Sequence, residues 1–455
     1  MGNETEKEKK SGGLPGRLPV MALIFGILLV RGHGRLIHAE LWAEDGSIFL
    51  RDALQAPLSS VLMPYAGYLQ VVTRMLALGV SFLPLEWIPH AIVLASYGLF
   101  SAIVSAIVGE EYAWLIPTRR ARVLCAVLLC FAPGLNEILG NMTNVHWLLF
   151  FWLCLLSLRG WSFAYRGIHF AGAGIAAFST PCGLLLIPVF AHRALAAFRK
   201  GRGRRLVLQD VALAGLLAAS LLPFLAYVLL APQDVVGPPK PRDPGTLLAL
   251  YLHGICRSYF LYPWMGRSIS VVPFSWLPLA SISLVLTAAA IVSTFAAARR
   301  WSLEERGFLL LLTSIPAFIP LLFVTRDQPV GFFLSASFWW QSRYAFISVA
   351  VGILGWTALL SRWEATRGWR HALAVFFILS VSGMAVGPGI PAHGQDGRWA
   401  AAVPAVRGFL ARGEPETVRV PLYPDGWFMV LRSAPDAPGP SRRGIAEAQG
   451  AQGSR

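Results

Sequence analysis

The amino-acid sequence predicts an all-α polytopic membrane protein. Of its 455 residues, 55% are hydrophobic and only 14% are charged, and the mean hydropathy is +0.57. Soluble domains carry about 25% charged residues. Apolar runs of about 20 residues, the length that crosses a ~30 Å hydrocarbon core, recur from end to end. A transmembrane β-barrel is not indicated, because its strands would alternate over about ten residues.

Basic clusters between the apolar runs predict the topology. The net charge is +15, but nucleic-acid binding is not indicated, because the basic residues form short clusters like those of cytoplasmic loops. The clusters taken as cytoplasmic are Lys7/Lys9/Lys10, Arg119/Arg120/Arg122, Arg159/Arg166, the stretch from Arg193 to Arg205, Arg299/Arg300 and Arg362/Arg367/Arg370. The five cysteines lie in or beside apolar segments without CxxC spacing, so neither a disulfide framework nor a zinc site is expected.

The first apolar run opens a membrane domain that is predicted over 16–390. A charged cytoplasmic tail, 1–15, precedes a helix over 16–35. This helix could be the core of a cleaved signal peptide, but it is expected to be retained, because no clean A-x-A cleavage site follows. The first outer loop covers 36–85 and contains interrupted amphipathic stretches. Its first part is expected to lie flat on the interface, whereas 65–83 either lies flat or crosses.

Alternating spans follow, for a total of roughly 10–13 membrane segments. They are predicted over 88–108, 122–139, 145–158, 206–230, 272–297, 307–324, 344–361 and 372–389. Residues 168–192 begin and end beside basic residues and are too short for two full spans. A broken hairpin with Ser179-Thr180-Pro181 near its apex is expected there, because such breaks are tolerated where the backbone lines a cavity.

A small outer segment is predicted after the membrane domain. It covers 391–433 and includes a β-hairpin in VRVPLYPDGWFMVL that turns at Pro424-Asp425-Gly426. Residues 434–455 are predicted to form a disordered tail.

Polar residues without an obvious solvation role collect on the outer face of this topology. Ionisable groups at membrane depth are costly, so their presence indicates function. Glu137, Asn141 and Asn144 would share one face of a continuing helix, and His146 would point away unless the chain breaks near Gly140 or Asn141. The candidate site residues are Glu44, Asp45, Tyr65, Tyr68, Glu137, Asn144, His146, Lys240, Arg257 and Arg343.

Structural roles account for several of these residues equally well. Asp45 would cap the helix that follows it. His146 beside Trp147 would be an interfacial side chain with a satisfied hydrogen bond, and Arg343 at a helix start would be an interface anchor. These alternatives stay open at this point.

The candidate residues share a chemistry that suits a lipid-linked sugar phosphate. Carboxylates deprotonate hydroxyl groups or hold divalent cations. An arginine fork binds phosphate bidentately, and aromatic faces suit sugar rings. The like charges of Glu44 and Asp45 are expected to raise the pKa of one of them, which suits a general base.

The layout over roughly 15–390 resembles the GT-C superfamily of integral-membrane glycosyltransferases, which take sugars from polyprenyl-phosphate carriers. AELWAEDGSIFLRDAL is similar in position and type to the acidic first outer loop of that superfamily. PTRRARVLCAVLLCFAPGLNEILGNMTNVHW has the order of its second outer cluster, with Asn144 and His146 where many members carry an Asp. FSTPCGLLLIP is similar to its short hairpin but lacks the lysine often found there, and QSRYAF resembles the Arg-Tyr that begins a descending helix.

The resemblance implies a glycosyltransferase of the bacterial inner membrane that works outside the cytoplasm. Asp45, helped by Glu44, would be the general base or the carboxylate that faces a metal. Arg343, with Lys240 or Arg257, would hold the donor phosphate. The residues implied to contact the sugar or the acceptor are Tyr65, Tyr68, Asn144, His146 and Glu137.

The implied partners are a polyprenyl-phosphate sugar donor, a glycan, lipid or protein acceptor, and the bilayer. No cofactor is required outright. A divalent cation, Mg²⁺ or Mn²⁺, would bind at Asp45 and Glu44, but the second cluster lacks the acidic residue, which leaves metal dependence open.

Two other functions fit parts of the sequence. A transporter or flippase of a lipid-linked or anionic substrate would place charges near the bilayer midplane and show repeated halves. This chain shows no such repeat. A polymerase or ligase of surface polysaccharide would use outer arginines and histidines but rely on a large outer loop late in the chain.

Overall fold

The computed structural model describes residues 14–65, 68–160, 163–201, 203–223, 225–226, 243–261, 302–325, 343–362, 371, 374–375, 377–378, 396–412 and 417–432. Several predictions therefore fall outside the described residues. They are most of the 1–15 tail, the helix over 272–297, most of the helix over 372–389, the 434–455 tail and the position of Lys240.

The described part of the chain is mostly helical. Its α-helices are α1 (Leu14–Arg31), α2 (His33–Ile37), α3 (Arg51–Gln55), α4 (Pro57–Ser60), α5 (Val71–Ser81), α6 (Ile88–Ser105), α7 (Arg119–Leu129), α8 (Leu135–Ile138), α9 (Val145–Ser157), α10 (Gly167–Ser179), α11 (Ile187–Arg199), α12 (Arg204–Ala219), α13 (Pro244–Ile255), α14 (Leu303–Ser314), α15 (Phe318–Thr325), α16 (Arg343–Arg362) and α17 (Arg398–Arg412). The other elements are π-helices Asp45–Leu50 and Cys256–Leu261, 3-10 turns Leu85–Trp87, Ala106–Val108, Glu110–Tyr112, Pro181–Leu186 and Ile315–Ala317, and strands β1 (Thr417–Pro421) and β2 (Phe428–Arg432).

Three helical runs in the described residues are long and apolar enough to cross a membrane. They are Leu85–Val108, Pro181–Arg199 and Arg343–Arg362. The first and third match the spans predicted over 88–108 and 344–361. The fold is therefore compatible with a helical membrane protein.

The run Leu85–Val108 joins two ends of the molecule that differ in chemistry. At one end, Leu85 lies in the same apolar core as Phe49 of the first outer loop. At the other end, the carbonyl of Val108 accepts a hydrogen bond from Arg122 Nε at 3.2 Å. We call the end that carries the π-helix Asp45–Leu50 the loop end, and the end that carries Arg122 the arginine end.

Buried arginines cap helix C-termini at the arginine end. The last carbonyl groups of a helix have no partner within it. Arg122 Nε donates to the carbonyl of Val108. Arg193 Nη1 donates to the carbonyl of Ser157, the last residue of α9, at 3.1 Å. Two of the basic residues that mark the predicted cytoplasmic side thus also hold helices together.

The prediction of one continuous helix over 122–139 is wrong. Helix α7 ends at Leu129, and the chain turns through Pro133 and Gly134 before the single turn of α8. Proline has no backbone N–H to donate to a helix. Gly134 adopts a φ of +79°, a conformation that is unfavourable for residues with a Cβ atom. The predicted break near Gly140 is confirmed, since its φ is +82° and a Cβ there would collide with Arg35.

The predicted hairpin apex at Ser179-Thr180-Pro181 is confirmed. Helix α10 ends at Ser179, Thr180 is extended, and a 3-10 turn begins at Pro181. The second arm continues to Arg199 instead of ending near residue 192 and is long and apolar enough to cross a membrane, whereas the first arm, α10, has only 13 residues. The segment thus still lacks the length for two full spans. The apex lies at the loop end, where Ser179 Oγ accepts from the backbone N–H of Val72 at 3.0 Å.

The described structure resolves the alternative that was open for 65–83. Helix α5 has 11 residues, which at 1.5 Å per residue is roughly 16 Å, about half of the hydrocarbon thickness. By itself it is therefore too short to cross the hydrocarbon core. The helices of this first outer loop stay at the loop end.

The C-terminal hairpin is confirmed, and it packs on the first outer loop. Strands β1 and β2 pair antiparallel from Thr417↔Arg432 to Pro421↔Phe428. Beyond them, Tyr423 forms a parallel bridge to Trp42. This segment thus lies at the same end as Asp45, as the topology predicted, and it shares a second apolar core with the first outer loop.

Trp399 is the anchor whose removal should detach the C-terminal segment. Its side chain is 3% exposed, and Nε1 donates to the carbonyl of Leu85 at 2.7 Å. Truncation of a buried tryptophan costs about 3–5 kcal/mol, so Trp399→Ala should expose α17 and the hairpin to limited proteolysis. The control is Arg407→Ala, which removes an exposed ion pair with Glu86 from the same helix and should leave protection unchanged. Equal protection of the two variants would refute this anchoring role.

Candidate functional site

The candidate site is built around an irregular loop over 139–144, between α8 and α9, which we call the central loop. Side chains from distant elements satisfy its backbone. Arg35 donates to the carbonyl of Leu139, and Thr73 Oγ1 donates to the carbonyl of Met142 at 3.1 Å. Irregular backbone at membrane depth is tolerated only when its polar groups find such partners.

Asp45 fastens the first outer loop to the central loop. It is 1% exposed. Its Oδ2 accepts from the N–H of Met142 at 3.0 Å, and its Oδ1 accepts from the N–H of Thr143 at 2.8 Å and from Thr143 Oγ1 at 2.5 Å. The alternative that Asp45 caps its own helix is wrong, because both oxygens bind the other loop.

Burial raises the pKa of the Asp45 carboxyl to about 7. Hydrogen bonds from Thr143 Oγ1 and from the two amides oppose this rise, because they stabilise the carboxylate. The negative charge of Glu44 adds to it, but less than burial does. The predicted rise in pKa is thus present, with desolvation rather than like charge as its main cause.

Glu44 is the more accessible member of the acidic pair. Its side chain is half-buried, and within the described part of the chain no hydrogen bond or ion pair engages its carboxylate. It lies close enough to Asp45 and to Arg343 to interact with both electrostatically. A solute at the loop end would therefore reach Glu44 before Asp45.

Arg343 and Glu137 form an ion pair at the start of α16. The backbone N–H of Arg343 donates to Glu137 Oε2 at 2.8 Å, and Arg343 Nη1 pairs with Glu137 Oε1. The side chains are 26% and 31% exposed, respectively. Glu137 holds the arginine, whose five N–H donors leave capacity for an anion. The contact of Glu137 with the sugar or acceptor stays a prediction.

Tyr68 and His146 meet across the two loops. Their ring centroids are 6.0 Å apart in a T-shaped arrangement. His146 Nδ1 lies 2.8 Å from the carbonyl of Thr143, and because a carbonyl only accepts, Nδ1 carries the proton in this contact. Tyr65, by contrast, packs edge-on against Phe49 at 5.4 Å and belongs to the core of the first outer loop.

Asn144 ties the start of α9 to the ion pair. It is 1% exposed, and its Nδ2 donates to the carbonyl of Glu137 at 2.9 Å. Its own N–H donates to Asn141 Oδ1 at 2.9 Å. The structure therefore groups Asn144 with Glu137 and Arg343, as a shared site requires.

Arg257 lies away from this group. It is 1% exposed in the second π-helix, where the carbonyl of the next residue, Ser258, packs against Gly352. Gly352 is roughly 13 Å along α16 from Arg343 at 1.5 Å per residue. The prediction that Arg257 shares the phosphate with Arg343 thus receives no support from these contacts.

The acidic pair does not fit a divalent cation. Both oxygens of Asp45 accept hydrogen bonds, which leaves Glu44 as the remaining carboxylate of the pair. No cluster of three or more His, Cys, Asp or Glu residues that could hold a metal occurs among the residues described. The expectation of Mg²⁺ or Mn²⁺ at this pair is therefore not supported by its donor set.

Sequence reasoning missed several residues that build the site. Arg35 follows the first helix at its predicted outer end, against the positive-inside rule, and that anomaly could have identified it. Gln70 has a φ of +51°, an unusual backbone conformation for a residue with a side chain, and its Nε2 donates to Tyr68 Oη at 3.1 Å. Gln70 lies among the polar residues that the sequence places on the outer face, whereas no sequence signal distinguishes Thr73 or Thr143.

No family model, curated protein or solved structure matches this chain. Its functional interpretation therefore depends on the geometry of the site.

The pKa of Asp45 predicts how stability depends on pH. The folded value of about 7 exceeds the ordinary value of 3.8, so the folded state binds this proton more tightly than the unfolded state. Its contribution to the free energy of unfolding is full below about pH 4 and is lost as the pH rises to about 7. Thermal unfolding in detergent between pH 4 and 8 should show this fall in the wild type.

Two variants separate Asp45 from its neighbour. Asp45→Asn should start from a lower stability, because an amide nitrogen replaces one acceptor oxygen, and should show a flatter pH profile. Glu44→Gln is the matched control and should keep the wild-type slope. An unchanged slope in Asp45→Asn would show that another group titrates.

Proposed function

We propose that the protein is a membrane glycosyltransferase that moves a sugar from a polyprenyl-phosphate donor to a hydroxyl group of a glycan, lipid or protein acceptor. The observation that carries this proposal is the pairing of two accessible charges at the loop end. Arg343 begins a membrane-length helix with its side chain 26% exposed, and the carboxylate of Glu44, which pairs with none of the described residues, lies within electrostatic range of it.

In the proposed reaction, Arg343 holds the donor phosphate and Glu44 accepts the proton of the acceptor hydroxyl. The acceptor oxygen forms a bond to the anomeric carbon of the sugar. The bond between that carbon and the phosphate oxygen breaks, and its electron pair leaves with the polyprenyl phosphate. Arg343 stabilises the charge that develops on this leaving group, as a preorganised cation does in phosphate chemistry.

Other predicted site residues act as supports in this proposal. Asp45 positions rather than reacts, since its buried oxygens hold the central loop. Glu137 fixes the guanidinium of Arg343. Tyr68 and His146 offer polar aromatic edges to the sugar or the acceptor beside the central loop.

The proposed placement is the bacterial inner membrane, with roughly 10–13 membrane segments, a GT-C-like layout and the loop end outside the cytoplasm. Support for this orientation comes from exposed basic residues at the arginine end, which the positive-inside rule assigns to the cytoplasm. They are Arg119, Arg120, Arg204 and Arg205.

Substitution of Glu44 tests the catalytic assignment. Glu44→Gln should lower sugar transfer by at least about 100-fold, the usual contribution of a general base, without loss of folded protein. Lipid-linked sugars and surface glycans should be measured by mass spectrometry at matched membrane levels. The donor should accumulate while one sugar disappears from a glycan.

The control is Glu86→Gln, an exposed carboxylate at the same end that pairs with Arg407, and it should retain full transfer. Full transfer by Glu44→Gln would remove Glu44 from the mechanism. Unchanged glycans with precursors retained on the cytoplasmic side would instead favour the transporter or flippase.

Substitution of Arg343 tests the phosphate site. Arg343→Lys keeps the charge but loses the planar fork, so the KM for the donor should rise about tenfold, and Arg343→Ala should raise it further. The KM for the acceptor should not change. Arg51→Ala, which removes a partly exposed cation paired with Asp52 at the same end, should leave both constants unchanged. An increase confined to the acceptor KM would contradict the assignment.

A further inference from the structure

Two buried polar atoms at the start of α9 have no hydrogen-bond partner among the residues that the structure describes. They are Oδ1 of Asn144 and Nε1 of Trp147. Asn144 is 1% exposed and Trp147 is 4% exposed. Buried polar atoms in folded proteins are almost always paired, because an unpaired one is costly, so each exception requires an explanation.

The two unpaired atoms belong to neighbouring side chains of opposite hydrogen-bonding character. The backbone N–H of Trp147, as distinct from its indole Nε1, donates to the backbone carbonyl of Asn144 at 3.1 Å. The two residues are therefore one turn apart at the start of α9. The amide of Asn144 has a defined orientation, because its Nδ2 donates to the carbonyl of Glu137. Its free atom is therefore the acceptor Oδ1, and the free atom of Trp147 is a donor.

This pair lies next to the proposed phosphate site. The ring of Trp147 is 5.5 Å from that of Tyr344, and the Tyr344 ring centroid is 5.0 Å from Cζ of Arg343. Asn144 reaches the same arginine through Glu137. A group bound by Asn144 and Trp147 would thus be adjacent to a phosphate bound by Arg343.

A hydroxyl group satisfies both atoms at once, because it donates one hydrogen bond and accepts others. A phosphate dianion has no hydrogen to donate to Asn144 Oδ1, and an apolar chain satisfies neither atom. The ring of Trp147 also contacts Phe318 at 5.2 Å in an edge-on arrangement. The local chemistry therefore suits an uncharged ring that carries hydroxyl groups.

We infer that Asn144 Oδ1 and Trp147 Nε1 recognise one hydroxyl of the donor sugar, the ring attached to the phosphate at Arg343. This inference rests on the proposed function. The hydroxyl donates to Asn144 and accepts from Trp147, so a donor that lacks it leaves both buried atoms unpaired. Both atoms are buried in this structure. A sugar therefore reaches them only when the groups around them move.

Binding of prenyl phosphates with and without a sugar tests this pair. The probes are farnesyl phosphate and farnesyl-phosphate conjugates of glucose, galactose, mannose and arabinose, bound to the full-length protein in detergent. Trp147→Phe keeps an aromatic ring but removes the Nε1 donor together with part of the buried ring volume. Trp152→Phe, on the same helix with its ring against Gly172, is the matched control.

In the wild type, at least one sugar conjugate should bind more tightly than farnesyl phosphate. Trp147→Phe should weaken that conjugate about tenfold, the effect of about 1.4 kcal/mol, and leave farnesyl phosphate unchanged. Its thermal stability should fall by less than that of Trp152→Phe, since the same ring volume is lost but an unpaired buried donor is removed with it. Trp152→Phe should change neither affinity.

Equal affinity of Trp147→Phe and wild type for the preferred conjugate would overturn the inference while leaving the phosphate site at Arg343 intact. The same holds if no conjugate binds better than farnesyl phosphate. If the wild type binds none of these probes, the proposed function fails and the inference fails with it.

Discussion

The structure depends on the side-chain hydrogen bonds that pair the backbone amides and carbonyls of one irregular loop. The central loop, 139–144, links α8 to α9, and its buried amides and carbonyls need hydrogen-bond partners other than bulk water. Asp45 accepts from two of its amides, and Arg35 and Thr73 donate to two of its carbonyls. These contacts join the first outer loop, the first helix and the start of α9, and the polar groups of the candidate site lie around them.

The need to hold the central loop gives Asp45 and Glu44 different roles. A carboxylate that holds two backbone amides in a buried site cannot also bind a metal or approach a substrate without releasing the central loop. Asp45 therefore has a structural task and a pKa near 7 that follows from burial. Glu44, one residue earlier, is half-buried, interacts electrostatically with Arg343, and has no hydrogen bond or ion pair to its carboxylate within the described part of the chain. Adjacent residues on a helical turn point in different directions, so two similar side chains acquire different chemistry.

The two ends of the molecule use charge in different ways. At the arginine end, Arg122 and Arg193 donate hydrogen bonds to carbonyls at helix C-termini, so residues of the predicted cytoplasmic clusters also support the packing of the helices. At the loop end, the ion pair of Arg343 and Glu137 remains partly exposed, and the C-terminal hairpin packs on the first outer loop. A partly exposed pair can exchange one partner for a ligand at low cost, whereas a buried pair cannot.

The sequence by itself determined the helical class, the spans over 88–108 and 344–361, the hairpin apex at Ser179-Thr180-Pro181 and the C-terminal β-hairpin. Each of these depends on local information, namely apolar length, charge clusters and turn residues. It also identified most residues of the site by type. Only the tertiary structure decided their roles, because Asp45 meets Thr143 across 98 residues and Arg343 meets Glu137 across 206. Burial and choice of partner arise from these long-range contacts, and no local pattern encodes them.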